Sequence, residues 1–405
     1  MEAENGTTVR EFVFLGLTSK PEVKVLLFAF FLAVYGTTML GNLLIVSLVA
    51  YAPILHTPMY FLLGNLSFLD FCYSSITAPK MLAGFLSKTN TISYVGCICQ
   101  IFFFHFIGGI KIFLLVIMAY DRYIAIFCPL RYMVIMNGAV CGGLMCASWT
   151  GGFVHSIIQV AIITQLPFCG PNKLDNFYCD VPQVVKLACT NTFVVELLMV
   201  SNSGLVTLMC FVVLLVSYSI LLAKLRAGSA PNRSKAISTC ASHVTVVTLI
   251  FGPCIYIYIH PFRSFPMDKA ISVLYTVITP ILNPFIYTLR NKDFKVALEN
   301  CFVILVASYA TILVRIRSPE GRRKALNVCA SHLMVVTLFF GPCIFIYGGP
   351  LSTISVDKLT PVLYNINIIT PMLNPLIYTL RNKDVKSAIR KLTGKETISD
   401  GKVDM

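Results

Sequence analysis

The sequence predicts an all-α membrane protein: a seven-transmembrane helix bundle followed by a partial repeat that appends about two more membrane helices. Three observations lead there. Hydrophobic residues fill 57% of the 405 positions and charged residues only 12%, against about 25% charged in soluble domains. Apolar runs close to the roughly 20 residues that a helix needs to cross a bilayer recur along the chain. The fifth to seventh of these runs then return, in order, in the tail.

Residues 1–24 are mixed and polar, with no short cleavable signal, so the first run at 25–50 is expected to act as an uncleaved anchor. Further runs fall at 58–80, 97–120, 139–163, 196–222, 237–259 and 271–289, and in the tail at 326–348 and 360–380. Each is expected to be a helix, because hydrocarbon cannot satisfy an open backbone. In the seventh, Pro284 behind Asn283 removes a helical hydrogen bond and makes a natural flexible point.

The net charge of +14 is spread over short loops and ends rather than gathered into a basic domain. Lys224, Arg226, Arg233 and Lys235 fall in one loop, and Arg290, Lys292 and Lys295 follow the seventh run. This positive-inside bias places the N-terminus outside and the 122–138 and 223–236 loops in the cytoplasm. Membrane topology accounts for the basicity, and no nucleic-acid partner is implied.

Cysteines test that orientation. The loop between the fourth and fifth runs holds Cys169, Cys179 and Cys189, an odd number on the outer side, where disulfides persist. Cys97, at the outer start of the third run, supplies a fourth partner. Spacing leaves the pairing open. Asn5 heads a glycosylation sequon on the same outer side. The sequon at Asn232 faces the cytoplasm and is discounted.

Two charges lie deep in the runs. Asp70 and Lys111 each fall eleven or twelve residues from a cytoplasmic helix end, at Arg122 for the lysine and Pro58 for the aspartate. At about 1.5 Å per residue both sit roughly 16–18 Å in. Each alone is expensive there, so the two are expected to pair.

The stretch MAYDRYIAIFCPLRY at 118–132 places Asp121, Arg122 and Tyr123 where the third run meets the cytoplasm. An intramembrane Arg needs a partner or a task, and a pair with Asp121 that can be exchanged for another contact suits a switch. The stretch resembles the rhodopsin-like G-protein-coupled receptors, and with CPLRY the olfactory receptors in particular. Gly41–Asn42, LHTPMYFLLGNLSFLD at 55–70, SYSIL at 217–221, KAISTCASHV at 235–244 and NPFIYTLRNKD at 283–293 extend that resemblance over the first 300 residues.

The resemblance implies bridges Cys97–Cys179 and Cys169–Cys189. It implies a ligand pocket of His105, Gly108 and Gly109 with Asn202, Val206, Phe251, Cys254 and Tyr258. It also implies that Tyr218 and Tyr287 swing into the cytoplasmic cavity when helices move. The implied partners are a small apolar or volatile ligand, the lipid bilayer and a heterotrimeric stimulatory G protein that raises cyclic AMP. The implied location is the plasma membrane of sensory neuron cilia. In relatives the position of Lys111 is usually acidic and, with the Asp, can hold sodium. Here the ammonium supplies that cation covalently, so sodium sensitivity is expected to be absent.

Other classes are disfavoured. The outer half of the third run, CICQIFFFHFIGG, carries no Asp or Glu to serve as counter-ion for an amine. No lysine falls within 271–289 for a retinal Schiff base, no cofactor is implied, and His105 stands too alone to argue for a metal. Residues of catalytic type are scattered over different runs, against an enzyme. A transporter or channel is the competing multi-helix class, disfavoured by the Asp-Arg-Tyr string and by the lack of matched repeats in the first six runs.

In the tail, PILNPFIYTLRNKD at 280–293 returns as PMLNPLIYTLRNKD at 371–384, and CASHVTVVTLIFGPCIYIY at 240–258 as CASHLMVVTLFFGPCIFIY at 329–347. The expected organisation is a seven-helix receptor at 1–300, a partial repeat at 301–390 and a polar tail at 391–405. The pattern suggests two related receptors fused in one chain, with a signalling-defective fusion as the alternative outcome. Residues 301–316 are expected to lie along the inner leaflet, leaving two further crossings.

Overall fold

The computed structural model describes residues 9–315, apart from 19, 88, 171, 228–232, 260–266 and 289–291, and for some helix residues the backbone only. Asn5, the 326–348 and 360–380 runs and the 391–405 tail therefore lie outside the described residues. A first compact unit, Met1–Ala297, holds the helices α1–α7 and a small sheet.

The first four helices are Pro21–Tyr51 (α1), Pro58–Leu86 (α2), Tyr94–Phe127 (α3) and Gly138–Thr164 (α4). Proline opens α1 and α2, where its missing N–H costs nothing. The Ser93 hydroxyl caps α3 by accepting from Gly96 N, and the Asn137 side chain caps α4 by accepting from Val140 N. Helix α5 is built from Phe193–Met199, a π-helical segment Val200–Leu205, and Val206–Ala227. Helix α6 spans Arg233–Ile259, and α7 joins Asp268–Val273, a π-helical Leu274–Ile278 and Thr279–Thr288.

Neighbouring helices pack into a closed ring. Helix α1 meets α2 and α7, α2 meets α3 and α7, α3 meets α4 and α5, α5 meets α6, and α6 meets α7. At the α3–α4 contact a Cβ on Gly109 would come within 3.1 Å of Gly152 Cα, so small residues let the two backbones close.

Polarity runs inward. Asn42, Asp70, Lys111, Gln159 and Asn283 are buried, while Val25, Leu26, Met209 and Val213 are exposed. A soluble protein would reverse that arrangement; a bilayer demands it. By length and composition, four of the described helices are apolar enough to cross a membrane: Pro21–Tyr51, Tyr94–Phe127, Gly138–Thr164 and Phe193–Ala223. In α6 the apolar stretch is the shorter His243–Tyr258. Helix α2 buries Asp70, Ser67, Ser74 and Thr77, which lower its hydropathy without exposing polarity to lipid.

The all-α expectation needs one amendment. Three short strands, Glu11–Phe14 (β1), Thr91–Ser93 (β2) and Lys173–Leu174 (β3), form a sheet of order β2-β1-β3. Strand β1 pairs antiparallel with β2 and parallel with β3, so the chain before α1 is tied to the loops before α3 and after α4.

After α7, helix α8 runs unbroken from Lys292 to Arg315. The apolar stretch read as a separate segment at 301–316 is thus the second half of a longer helix. Its first turn is anchored by the Tyr60 hydroxyl, which donates to Asp293 Oδ2 at 2.7 Å, and by Phe294 packed edge-on to Tyr60. The described part of the second unit, Leu298–Met405, is the remainder of α8.

Candidate functional site

The end of the bundle at which α3 begins is closed by the loop between α4 and α5. Cys97 is bonded to Cys179 and Cys169 to Cys189, with Cα atoms 5.5 and 5.8 Å apart. The first bridge fixes the loop to the start of α3, and the Gln100 side chain accepts from Cys179 N at 2.9 Å. Phe177, Tyr178, Cys179 and Asp180 are all buried.

Asp180 caps the short helix Val181–Val185 and accepts from two tyrosine hydroxyls. Tyr258 of α6 donates to Asp180 Oδ1 at 3.1 Å, and Tyr178 to Oδ2 at 3.2 Å. The Tyr178 hydroxyl also lies 2.9 Å from that of Tyr275 on α7. Burial pushes the Asp180 carboxyl up to about 6, although the Tyr258 and Tyr178 hydrogen bonds pull the other way.

Beneath this lid lies a cavity with about 550 Å³ of space between the atoms, the open solvent at its mouth included. It is lined by Tyr73, Phe104, His105, Gly108, Gly109, Lys111, Ile112, His155, Ser203, Thr207, Ile250, Cys254, Tyr258 and Tyr275. Five of the eight residues expected from the sequence are here: His105, Gly108, Gly109, Cys254 and Tyr258. Gly108 leaves room where Tyr73 Cε2 would lie 3.8 Å from an added Cβ.

Asn202, Val206 and Phe251 do not line it. The Asn202 amide donates to His155 O at 3.3 Å, Val206 is exposed, and Phe251 is buried against Phe211. On α5 the cavity instead meets Ser203 and Thr207, one residue further on in each case. The π-helical Val200–Leu205 takes up an extra residue per turn, which rotates the inward face relative to a regular α-helix. A sequence signal existed in the paired hydroxyls of Ser203 and Thr207, one helical turn apart. Gln159 donates to Ser203 at 2.6 Å and holds it inward.

Lys111, on the cavity wall, belongs to a buried polar cluster. Lys111 Nζ lies 2.6 Å from Asp70 Oδ1 and 4.6 Å from the Tyr73 ring centroid. Asn283 Nδ2 donates to the other Asp70 oxygen at 2.6 Å, so α2, α3 and α7 meet on one carboxylate. Asn42 of α1 adds a donor to Pro280 O at 3.2 Å.

At the opposite end of α3, Arg122 donates to Asp121 Oδ2 at 2.6 Å and Tyr132 donates to Oδ1 at 2.7 Å. Helix α3 continues past these residues to Phe127. Tyr123 is partly exposed and packs on Phe127 rather than joining the pair. Tyr218 is buried and hydrogen-bonded to His243 of α6. Tyr287 lies on α7, but its side chain is outside the described residues.

A family model described as Olfactory receptor matches residues 31–304 and, a second time, residues 297–395. Among individual proteins, Olfactory receptor 4D1 of Homo sapiens is 58% identical over 307 residues, covering 75% of this chain and 99% of that protein. Olfactory receptor 4Q3 of Homo sapiens is 57% identical over 300 residues, 74% of this chain and 96% of that one. Olfactory receptor 4M1 of Mus musculus is 55% identical over 301 residues, with the shares 74% and 96%.

Proposed function

The chain belongs to the olfactory receptor family and is an odorant-sensing G-protein-coupled receptor, and from that premise we propose that a small, largely apolar ligand binding between α3, α5 and α6 activates a stimulatory G protein and raises cyclic AMP. It is a multi-pass membrane receptor and not an enzyme. Its N-terminus faces outside, and its working location is the ciliary plasma membrane of a sensory neuron. Residues 1–300 are the receptor, 301–390 a partial repeat of its last three spans, and 391–405 a polar tail.

The observation that carries this reading is the cavity itself, enclosed by mostly apolar side chains under a disulfide-held loop, with Asp121 and Arg122 on the same helix further in. Ligand binding favours an open cytoplasmic face in which Arg122 leaves Asp121 and engages the G protein, with Tyr218 and Tyr287 following the helices. A ligand drives such a change only through unequal affinity for the two states.

The test is ligand-dependent cyclic AMP in cells that display the full chain. Arg122→Ala is expected to abolish the response while surface expression stays measurable. Undiminished signalling by that variant sinks the switch assignment.

A further inference from the structure

The ligand cavity and the buried ion pair share a residue. Lys111 lines the cavity and at the same time holds Asp70. We infer that Lys111 is the polar anchor of the ligand site, taking a neutral oxygen acceptor such as an aldehyde or ketone carbonyl on the ammonium that also bonds Asp70. This rests on the receptor reading above and names the ligand chemistry that the same cavity selects.

An ammonium carries three N–H donors. The charge lies 2.6 Å from Asp70 Oδ1 as an ion pair and 4.6 Å from the Tyr73 ring, which leaves donor capacity on the cavity side. Asn283 donates to one Asp70 oxygen and Lys111 faces the other as an ion pair, so the carboxylate does not call on every donor of the lysine. The pair is neutral as a unit, and that restricts what can join it. An ammonium ligand meets Lys111 repulsively. A carboxylate ligand brings a second anion to one cation and loses its hydration with no further charge to offset it. A neutral carbonyl adds an acceptor and no charge.

A second buried group points the same way. His105 is 5% exposed, lines the cavity, and its Nε2 has no hydrogen-bond partner among the described residues. The site therefore presents more polar capacity than the protein itself uses, within walls of aromatic and aliphatic carbon. Because Lys111 touches ligand and Asp70 together, occupancy acts directly on the contact that joins α2, α3 and α7.

The experiment compares an alkane, an alcohol, an aldehyde and a ketone of matched length as ligands of the full chain, read by cyclic AMP. A hydrogen bond to a charged donor is expected to lower the half-maximal concentration of the carbonyl compounds about ten- to a hundred-fold below the alkane. In Lys111→Met/Asp70→Asn, which removes both charges together, the preference is expected to fall to about threefold or less at matched surface expression. Best ligands that lack an acceptor oxygen overturn the inference in the unmodified chain alone, whatever the variant does. A carbonyl preference that survives in the double variant overturns it too. Both outcomes leave the receptor reading intact, whereas silence toward every ligand overturns that reading and this inference with it.

Discussion

Lys111 Nζ and Asp70 Oδ1 lie 2.6 Å apart, with side chains 5% and 0% exposed, and Asn283 holds the second Asp70 oxygen. A pair this deep contributes little net stability compared with an apolar replacement, but stranding one partner costs about 3–5 kcal/mol. Lys111→Ala is expected to reduce surface expression more than Lys111→Ala/Asp70→Asn does. Additive losses across that double-mutant cycle contradict energetic contact between the two. With an ammonium in place of a mobile cation, ligand response is also expected to be insensitive to exchange of sodium for potassium.

The Asp180 carboxyl titrates near 6 in the folded loop because it is buried, against about 3.9 when unfolded. The fold therefore takes up a proton that the unfolded chain releases. That contribution to stability is full below about pH 4 and is lost as pH rises through 6. A difference of this size is worth up to about 3 kcal/mol. The thermal midpoint of the purified receptor is expected to rise between about pH 7.5 and about pH 5, and Asp180→Asn should flatten that slope. A slope unchanged in the variant assigns the effect elsewhere.

A Cβ on Gly152 would fall 2.7 Å from Ile110 Cγ1 and 2.8 Å from Phe106 O. The carbonyl belongs to the α3 backbone and cannot yield without moving the helix, so Gly152→Ala is expected to cost about 1–3 kcal/mol. Gly142, on the same helix α4, has nothing within 4 Å of its added Cβ. Gly142→Ala should be neutral or stabilising by up to about 1 kcal/mol. Equal thermal midpoints for the two variants would rule out backbone packing as the reason for glycine at 152.

The helices were legible because a bilayer leaves the backbone one solution, and the Asp70–Lys111 contact because two buried charges at one depth are costly apart. The sheet was not legible. Its strands hold two to four residues each, too few to show a period, and each exists only through partners far away in sequence. The Asp180 cluster was hidden for the same reason, since Tyr178, Tyr258 and Tyr275 come from a loop and two helices. On α5 the four-residue spacing was right but the register was off by one and the residue types differed, because nothing in VSNSGL distinguishes a π-turn from an α-turn before α6 is packed against it.

The tail carries the last prediction. Helix α8 begins at Lys292, after α7 in the chain, and reaches Arg315, just before Arg317, Arg322, Arg323 and Lys324 in the sequence. Were its second half to cross outward, those cations would land outside, against the positive-inside bias, and the runs at 326–348 and 360–380 would be inverted relative to their originals. The apolar stretch from 301 is also short of the roughly 17–25 residues a crossing needs. A glycosylation acceptor inserted beside Gly321 is therefore expected to stay unmodified, and modification would refute the two-crossing arrangement. The first copies of spans six and seven are joined to α5 by the shorter connection, so they should keep their places in the bundle against the tail copies. Removing residues 301–405 is accordingly expected to leave the ligand response intact or improved. A complete loss of response, with surface expression retained, would mean that the tail copies complete the working receptor and that the bundle of 1–300 does not signal alone.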